Sequence, residues 1–336
     1  MKKILLATLG LALVLLFMRP PQGAVPVRVD RLALGTLVTV KLYEEEGLAR
    51  ELAQEVFAEI DRVDSLMSRH IETSEANRLE RLATNGPVTC SLEMIRVLAR
   101  SQKFAHSSDG AFDVTIGALT RLWNFPDVEA PPAAASIDSA LALIGYRTLQ
   151  LEGRQVTLSR PGVRLDLGGS AKGFAVDQAV ELLRERGVEC GLIEAGGDIR
   201  YWGQKPDGRD WRFGIQHPRD RNRYIEVEDL GLTAIATSGD YEQYFDYAGE
   251  RYHHILDPTT GYPATKAISA TAWAGSALDA DILSTALFIL GPERGLDWVE
   301  TLPDAEGLVF FFVDDQLHHR ASSGVEGCFT FPEIDK

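Results

Sequence analysis

Apolar positions recur at two different spacings along this chain, and the spacings predict its helices and strands. Between Leu48 and Met67 the apolar residues follow one face of a helix, so this segment is predicted to be an amphipathic helix. The same spacing, ended by a glycine in two cases, predicts five further helices. These are Ser91–His106, Ser136–Ile144, Ser170–Arg186, Asp279–Leu290 and Arg294–Thr301.

Alternation of apolar and polar residues, many of them β-branched, predicts a pair of strands over Arg31–Tyr43 that turns at Gly35. The Pro- and Ala-rich segment Trp123–Ala135 is predicted to be a surface loop or a domain junction. Helices and strands are mixed without a regular βαβ alternation, so we predict an α+β fold. The other predicted strands are Thr148–Leu151, Gln155–Leu158, Leu192–Tyr201, Trp211–Gln216, Tyr224–Thr237, Ile268–Ala274 and Leu308–Val313.

The first 24 residues differ in composition from the rest of the chain. Lys2 and Lys3 precede an uncharged apolar run, Ile4–Met18, which is followed by one basic residue and two prolines. This pattern fits a signal peptide better than a full membrane span, and an uncleaved signal anchor is the alternative. We therefore expect residues 1–24 to direct export. Residues 25–336 should then form one domain in the periplasm or on the outer face of the inner membrane.

The formal net charge of −15 argues against nucleic acid as a partner. Proteins that bind nucleic acid neutralise its phosphates with lysine and arginine. In this chain the 34 lysines and arginines are outnumbered by 49 aspartates and glutamates. For the same electrostatic reason, we expect a polyphosphate ligand to need a metal ion.

The three cysteines, Cys90, Cys190 and Cys328, are too few and too far apart for a disulfide framework or a metal knuckle. One disulfide is the most that they could form. We expect them to be small buried residues instead.

Three polar turns each follow an apolar strand and are candidates for ligand binding. In Asp166–Gly173 two glycines join a strand to a helix start, where free backbone N–H groups favour phosphate. Lys172 would add positive charge and Asp166 could hold a ribose or nucleobase donor, but a tight turn with a solvated lysine explains the pattern equally well. For Glu194–Asp198 a tight turn or bulge is the simpler interpretation, and for Ser238–Glu242 a capped helix start.

In the segment His254–Pro263, the pair Asp257-Pro258 and the glycine Gly261 predict turns on both sides of Thr259-Thr260. His254 could titrate near neutral pH and transfer a proton, or it could be a structural histidine held in the turn. Zinc binding by the pairs His253/His254 and His318/His319 is disfavoured, because neighbours along a strand point to opposite faces.

Asp281 and Thr285 are four residues apart at the start of a predicted helix, and therefore share one face. A carboxylate and a hydroxyl on one face suit a hard cation such as Mg²⁺. The alternative is an aspartate that interacts with the helix dipole and a threonine that bonds back into the helix.

Eight stretches of the sequence, in this order, resemble the ApbE family, the FAD:protein FMN transferases. They are LGTLVTV, SLMSRH with SEANRL, GAFDVTIG, DLGGSAKGFAVD, EAGGDIR, TSGDYE, HHILDPTTGYP and ADILSTALFILG. The resemblance extends from Leu34 to Leu290. It implies a fold of mixed sheets and helices, related to the T-fold, with FAD in a cleft.

The resemblance also implies a reaction. Mg²⁺ would bind the pyrophosphate of FAD, and FMN would pass to a Thr or Ser hydroxyl in a short motif of an acceptor flavoprotein, with release of AMP. Two alternatives stay open: an FAD pyrophosphatase that uses water as the acceptor, and an exported flavin-binding carrier without turnover.

The same resemblance implies site residues. The metal ligands would be Asp281, Thr285 and a backbone carbonyl near Gly169, and our candidates for the base that activates the acceptor hydroxyl are His254 and Asp257. The flavin and adenosine contacts would be Leu34, His70, Ala111, Phe112, Asp113, Asp166, Lys172 and Ile255.

Three positions depart from the family pattern. Leu34 stands where methionine is common, His70 where tyrosine is frequent, and Glu194 where asparagine is common. These departures bear on flavin affinity more than on the chemistry.

Overall fold

The computed structural model describes residues 25–125 and 127–330. The predicted signal segment, residues 1–24, lies outside these residues, and so does the C-terminal end of the expected domain. Within the described part of the chain, no helix is long and apolar enough to cross a membrane.

The framework of the fold is an antiparallel sheet of eight strands in the order β1-β2-β6-β7-β10-β13-β14-β15. Its register is regular: for example, Ala236 of β10 faces Ala272 of β13. The strands are β1 Val27–Ala33, β2 Thr36–Leu42, β6 Gly191–Ala195, β7 Asp198–Trp202, β10 Ala234–Gly239, β13 Ser269–Ala274, β14 Ala305–Val313 and β15 Gln316–Ala321.

Helices cover one face of this sheet. Helix α1 (Glu46–Met67) packs on α6 (Ala171–Glu185), and α6 packs on α7 (Ala277–Leu290). Helix α7 lies directly on β10 and β13. Helix α7 is apolar nearly all round, as expected for a helix buried between a sheet and other helices. The described helices are α1 Glu46–Met67, α2 Glu75–Leu82, α3 Leu92–Ser107, α4 Gly117–Trp123, α5 Ala134–Leu141, α6 Ala171–Glu185, α7 Ala277–Leu290 and α8 Arg294–Val299.

Smaller sheets complete the molecule. The strands β8 Arg212–His217 and β9 Asp220–Glu228 pack their apolar residues on the second face of the main sheet, so that face has its own core. This second core includes Trp273, whereas the neighbouring Ala272 belongs to the helical side, as strand alternation requires. The remaining strands are β3 Val88–Thr89, β4 Leu149–Glu152, β5 Gln155–Leu158, β11 Tyr244–Tyr247, β12 Glu250–His253 and β16 Phe329–Thr330.

The α+β prediction is confirmed, as are the long helices and most strands. Two predicted strands were too long: Leu192–Tyr201 is divided by the turn at Gly196 and Gly197, whose positive φ values of 57° and 93° suit glycine. Tyr224–Thr237 is likewise divided between β9 and β10. Two helices, α2 and α4, and the strands β3, β11, β12, β15 and β16 were not predicted.

Two local interpretations need correction. Ser238–Glu242 does not start a helix, because β10 continues to Gly239 and the Asp240 carboxylate accepts two hydrogen bonds from Arg219, both 2.7 Å. The segment Trp123–Ala135 is not wholly a loop, since α4 ends at Trp123 and α5 begins at Ala134.

The cysteines are all free. Cys90 and Cys190 are buried, as predicted, whereas Cys328 is partly exposed. Burial raises the pKa of both buried thiols to about 11, which keeps them protonated and unreactive at neutral pH.

Gly173 fixes the distance between α6 and α7. A Cβ atom at this position would lie 2.2 Å from the Ala277 carbonyl oxygen, so only glycine allows the two helices to approach this closely. We expect Gly173→Ala to lower the free energy of unfolding by about 1–3 kcal/mol or more, because a backbone must move. Urea unfolding measures this, with Gly275→Ala as the matched control, since a Cβ there meets nothing within 4 Å. An equal loss in both variants would contradict this account.

Candidate active site

The candidate site lies where four elements meet: the start of α6, the first half of α7, the start of β7 and the end of β10. Helix α6 follows the turn Asp166–Ser170, in which the Asp166 Oδ1 atom accepts the Gly168 N–H at 2.8 Å. This bond explains the local fold, because aspartate side chains close turns by bonding backbone two residues later.

A second carboxylate, that of Asp177, holds α7 in position. It accepts hydrogen bonds from the N–H groups of Ala277 at 2.9 Å and Leu278 at 3.0 Å, which are among the free donors of the helix start. It also pairs with Arg200 of β7. Asp177 therefore ties α6, α7 and the sheet together directly beside the candidate ligands.

Lys172 connects two buried carboxylates at the centre of the site. Its Nζ atom lies 3.1 Å from Asp281 Oδ1 and 3.2 Å from Asp198 Oδ2. Asp281 Oδ2 additionally accepts the Gly173 N–H at 3.1 Å. Among the described residues, no three His, Cys, Asp or Glu side chains are grouped so as to hold a metal by themselves.

The electrostatics of this group follow from two acids sharing one ammonium. Burial first, and then the adjacent Asp281 charge, raises the pKa of Asp198 well above its ordinary value, although Lys172 acts in the opposite direction. Burial acts to lower the pKa of Lys172, but the charges of Asp198 and Asp281 outweigh it and raise that pKa. Lys172 is therefore positively charged at neutral pH.

Hydroxyl groups lie one helical turn further along α7. Thr285 Oγ1 lies 3.4 Å from Ser238 Oγ at the end of β10, which in turn is 2.9 Å from Ser284 Oγ. A Cβ placed on Gly169 would be 3.1 Å from Thr285 Oγ1, so the structure brings Gly169, Thr285 and Asp281 together. These are oxygen donors of the kind that hard cations prefer.

The predicted flavin contacts Ala111, Phe112 and Asp113 lie in a buried loop beside this turn. The Phe112 ring edge is 3.0 Å from the Cβ position of Gly169. Asp113 Oδ1 accepts both the N–H and the hydroxyl of Thr115, at 2.8 and 2.7 Å, and burial raises the pKa of this carboxyl. The Asp113 side chain thus stabilises its own loop.

Three other predicted contacts are Asp166, His70 and Leu34. Asp166 Oδ2 pairs with Arg69 Nε at 3.4 Å, and His70, which follows Arg69 in the chain, is exposed. Leu34 occupies the β1–β2 turn with a φ of 53°, and its half-buried side chain packs on the main core. A positive φ is unusual for leucine, so the hairpin turn holds this side chain in a specific direction.

The two histidines of the His254–Pro263 segment differ in their surroundings. His253 is buried and fully partnered: Nε2 bonds the Ala264 carbonyl at 2.9 Å, and Nδ1 accepts the Ile255 N–H at 3.3 Å. His254, by contrast, has a buried Nδ1 atom without a hydrogen-bond partner. His253 is therefore a structural residue, and His254 retains a free proton acceptor.

His254 is neutral at physiological pH. Burial is the main reason that its pKa falls to about 4, and the charges of His253 and Lys172 act in the same direction, whereas that of Asp166 opposes them.

Asp257 and Ile255 complete the segment. Asp257 Oδ1 accepts the Thr259 N–H at 2.8 Å, and its backbone bonds Tyr262 and Gly261, so the residue closes its own turn. Ile255 is buried, and its carbonyl accepts the Ala264 N–H at 2.9 Å. Of the two candidate bases, His254 is the one with a buried side-chain atom, Nδ1, that has no hydrogen-bond partner.

The depressed pKa of His254 predicts a pH dependence of stability. The unfolded histidine, with a pKa of 6.5, binds a proton more readily than the folded one, whose pKa is about 4. Its contribution to stability is therefore complete above pH 6.5 and is lost as the pH falls towards 4, up to about 3 kcal/mol. The melting temperatures of the wild type and of His254→Asn should therefore be similar at pH 8, and that of the wild type should fall below that of the variant as the pH decreases from 6.5 towards 4. A constant difference between the two would contradict the shift.

Sequence analysis did not identify several residues of this site. Asp198 and Asp177 lie within two of the motifs, EAGGDIR and DLGGSAKGFAVD, but neither spacing nor composition distinguishes them from turn or surface aspartates. Arg69 and Ser238 were also missed, although both lie in motif stretches. Their roles depend on contacts between elements distant in sequence.

The fold and this glycine-turn site define a class of flavin-handling proteins, as comparison with solved structures shows. The flavin transferase ApbE of Vibrio cholerae superposes with a TM-score of 0.81 at 31% identity, covering 90% of this chain and 98% of that one. The ApbE protein of Thermotoga maritima gives 0.79 at 33% identity, with 90% and 99% covered.

The sequence comparisons name the family. The ApbE family model matches residues 34–309, and this chain belongs to that family. A relative from Vibrio cholerae, named FAD:protein FMN transferase, is 33% identical over 323 residues, which are 94% of this chain and 96% of the relative. One from Treponema pallidum with the same name is 33% identical over 317 residues, or 88% and 86% of the two chains.

Proposed function

We propose that this protein is an FAD:protein FMN transferase. The observation that carries the proposal is the buried arrangement of Asp281, Lys172 and Thr285 around the glycine turn, within a chain of the ApbE family. The acceptor hydroxyl oxygen forms a bond to the phosphorus on the riboflavin side of FAD, and the bond from that phosphorus to AMP breaks. The product is a phosphodiester-linked FMN on the acceptor protein, with AMP released.

The residues present fit a divalent cation, for which we propose Mg²⁺. Two nearly buried carboxylates contact a single ammonium, and the nearby side-chain atoms are oxygens. Asp281, Thr285 and the Gly169 carbonyl would hold the ion. When bound, it would offset charge on the pyrophosphate and on departing AMP.

The chain's own groups then position the substrate and move one proton. Lys172 presents a positive charge beside the glycine turn, since its Nζ atom donates to the Gly168 carbonyl at 3.2 Å. His254 is neutral and its Nδ1 is unpartnered, so it can accept the proton of the acceptor hydroxyl. No covalent bond between enzyme and FMN is needed, since phosphoryl-type transfer depends on positioning and electrostatics.

The acceptor is proposed to be a flavoprotein with a Thr or Ser in a short recognition motif. Residues 25–336 should be incubated with FAD, Mg²⁺ and candidate acceptor domains, and flavin fluorescence read in a denaturing gel. A fluorescent acceptor band that withstands denaturation supports the transferase. AMP release at the same rate without acceptor, and no labelled band, would favour the pyrophosphatase instead.

Ligand binding gives a further prediction. A ligand that binds only the folded state raises the melting temperature by mass action. FAD with Mg²⁺ should therefore raise it more than FMN at the same concentration, because FMN lacks the adenosine and the bridging phosphate. Equal shifts measured by differential scanning fluorimetry would contradict a site centred on the pyrophosphate.

We also propose that the protein is exported and acts in the periplasm or at the outer face of the inner membrane. The basis is the basic start and apolar run of residues 1–24. Fractionation of cells that express the full chain, with mass spectrometry of its N-terminus, tests both export and cleavage. Recovery in the cytoplasm would refute it.

A further inference from the structure

Asp198 has one ionic partner in the described part of the chain, and that partner is Lys172. The carboxylate side chain is only 3% exposed, and Lys172 Nζ lies 3.2 Å from its Oδ2 atom. This oxygen is buried without any well-aligned hydrogen bond. A carboxylate buried this deeply is costly unless its charge is balanced, so the ion pair with Lys172 is what retains it.

Asp281 competes for the same ammonium. Its side chain is 4% exposed and lies 3.1 Å from Lys172 Nζ, which also donates to the Gly168 carbonyl at 3.2 Å. A divalent cation on Asp281 would meet the positive charge of Lys172 at contact distance. Like charges this close, in a poorly solvated site, repel strongly unless another charge offsets one of them.

We propose that Asp198 is a positioning residue that retains the Lys172 ammonium, so that Asp281 is free to bind a divalent cation. Asp198 offers the ammonium a second carboxylate at 3.2 Å, in addition to that of Asp281 at 3.1 Å. Without Asp198, Lys172 pairs with Asp281 alone. The inference rests on the proposed metal site but assigns Asp198 a role through Lys172 rather than as a ligand.

The competition for Asp281 yields a rescue experiment. Asp198→Asn should weaken binding of a divalent cation by about tenfold or more, because Lys172 then pairs with Asp281 alone. Removal of the competing ammonium as well, in Asp198→Asn/Lys172→Met, leaves Asp281 without a cationic partner and should return the affinity close to the wild-type value. Asp279→Asn is the matched control, because this residue lies in the same helix but pairs with Arg100.

The measurement is Mn²⁺ binding at pH 8 without FAD, followed by EPR of the free ion and displaced with Mg²⁺. Rescue in the double variant, with no change in Asp279→Asn, supports the inference. Wild-type affinity in Asp198→Asn would overturn it, and so would a double variant as weak as the single one, which would make Asp198 a direct ligand. Should Asp198→Asn fail to fold in a thermal melt, Lys172→Met alone decides: tighter binding than wild type supports the inference and weaker binding overturns it.

FMN transfer by the wild type, with Mg²⁺ and with EDTA, separates this inference from the proposed function. Suppose that the wild type transfers FMN only with metal and that Asp198→Asn binds Mn²⁺ as the wild type does. The proposed function would then be supported, and only the role assigned to Asp198 would be refuted. Transfer that persists in EDTA would overturn the metal site and this inference with it, whereas no transfer with Mg²⁺ to any acceptor would overturn the proposed function.

Discussion

Asp281→Asn is expected to lower the rate of FMN transfer by about 10²–10³-fold, because it removes the one charged ligand assigned to the metal. The fold should survive. Asparagine retains an oxygen that can accept the Gly173 N–H, and Lys172 retains its ion pair with Asp198. The melting temperature should therefore change by no more than about 4 °C. The rate is read from the fluorescence of the flavin-labelled acceptor after denaturation.

Two comparisons make this result specific. Asp279→Asn changes the same residue type two positions earlier, where the carboxylate pairs with Arg100 away from the candidate ligands, and it should transfer FMN at the wild-type rate. EDTA should abolish transfer by the wild type, and excess Mg²⁺ should restore it. Wild-type activity of Asp281→Asn in the presence of EDTA would remove the metal from the mechanism.

The helices and strands that sequence analysis identified are those with long, regular periodicity. Helix α1 has an apolar stripe over six turns, and β2 is rich in β-branched residues, so each could be predicted from local pattern. The missed elements are short. Helix α2 spans eight residues, of which two are glutamates and two are arginines, and its stability comes from packing that the sequence does not display.

The candidate site was predicted in a different way. The glycine turn and the Asp281/Thr285 pair are each ambiguous alone, and only the order of eight motifs identified a family. What the motifs do not reveal is which polar residues interact. Asp177 lies in a predicted motif, but its bond to the start of α7 joins positions 100 residues apart. Such contacts follow from the packing of α6 on α7, which periodicity does not determine.

The adjacent histidines show the same limit on a smaller scale. Sequence alone presents His253 and His254 as equivalent neighbours at the end of a strand. The structure separates them because alternation turns one ring into the core, edge-on to Phe288, and the other towards the site. The distinction between a structural histidine and a candidate base is therefore a consequence of register.

His254→Asn is expected to reduce FMN transfer by about 10²–10⁴-fold, the usual contribution of a positioned general base. Threonine and serine hydroxyls are weak nucleophiles at neutral pH, so loss of the proton acceptor slows the step at phosphorus. FAD affinity should remain nearly unchanged, because the unpartnered Nδ1 of His254 serves the acceptor hydroxyl in this mechanism. The low-pH decline of the rate should also disappear in the variant. Rates are measured with saturating FAD, and affinity by fluorescence titration.

Two neighbouring variants decide how such a loss is interpreted. His253→Asn should lower the melting temperature, because it removes the bonds to Ala264 and Ile255, whereas His254→Asn should not do so at pH 8. Asp257→Asn retains an oxygen for the Thr259 N–H and should transfer FMN normally unless that carboxylate is the base. Joint loss of FAD binding and rate in His254→Asn would make His254 a substrate contact. The base would then belong to Asp257 or to the acceptor protein, and the rate of Asp257→Asn distinguishes these two.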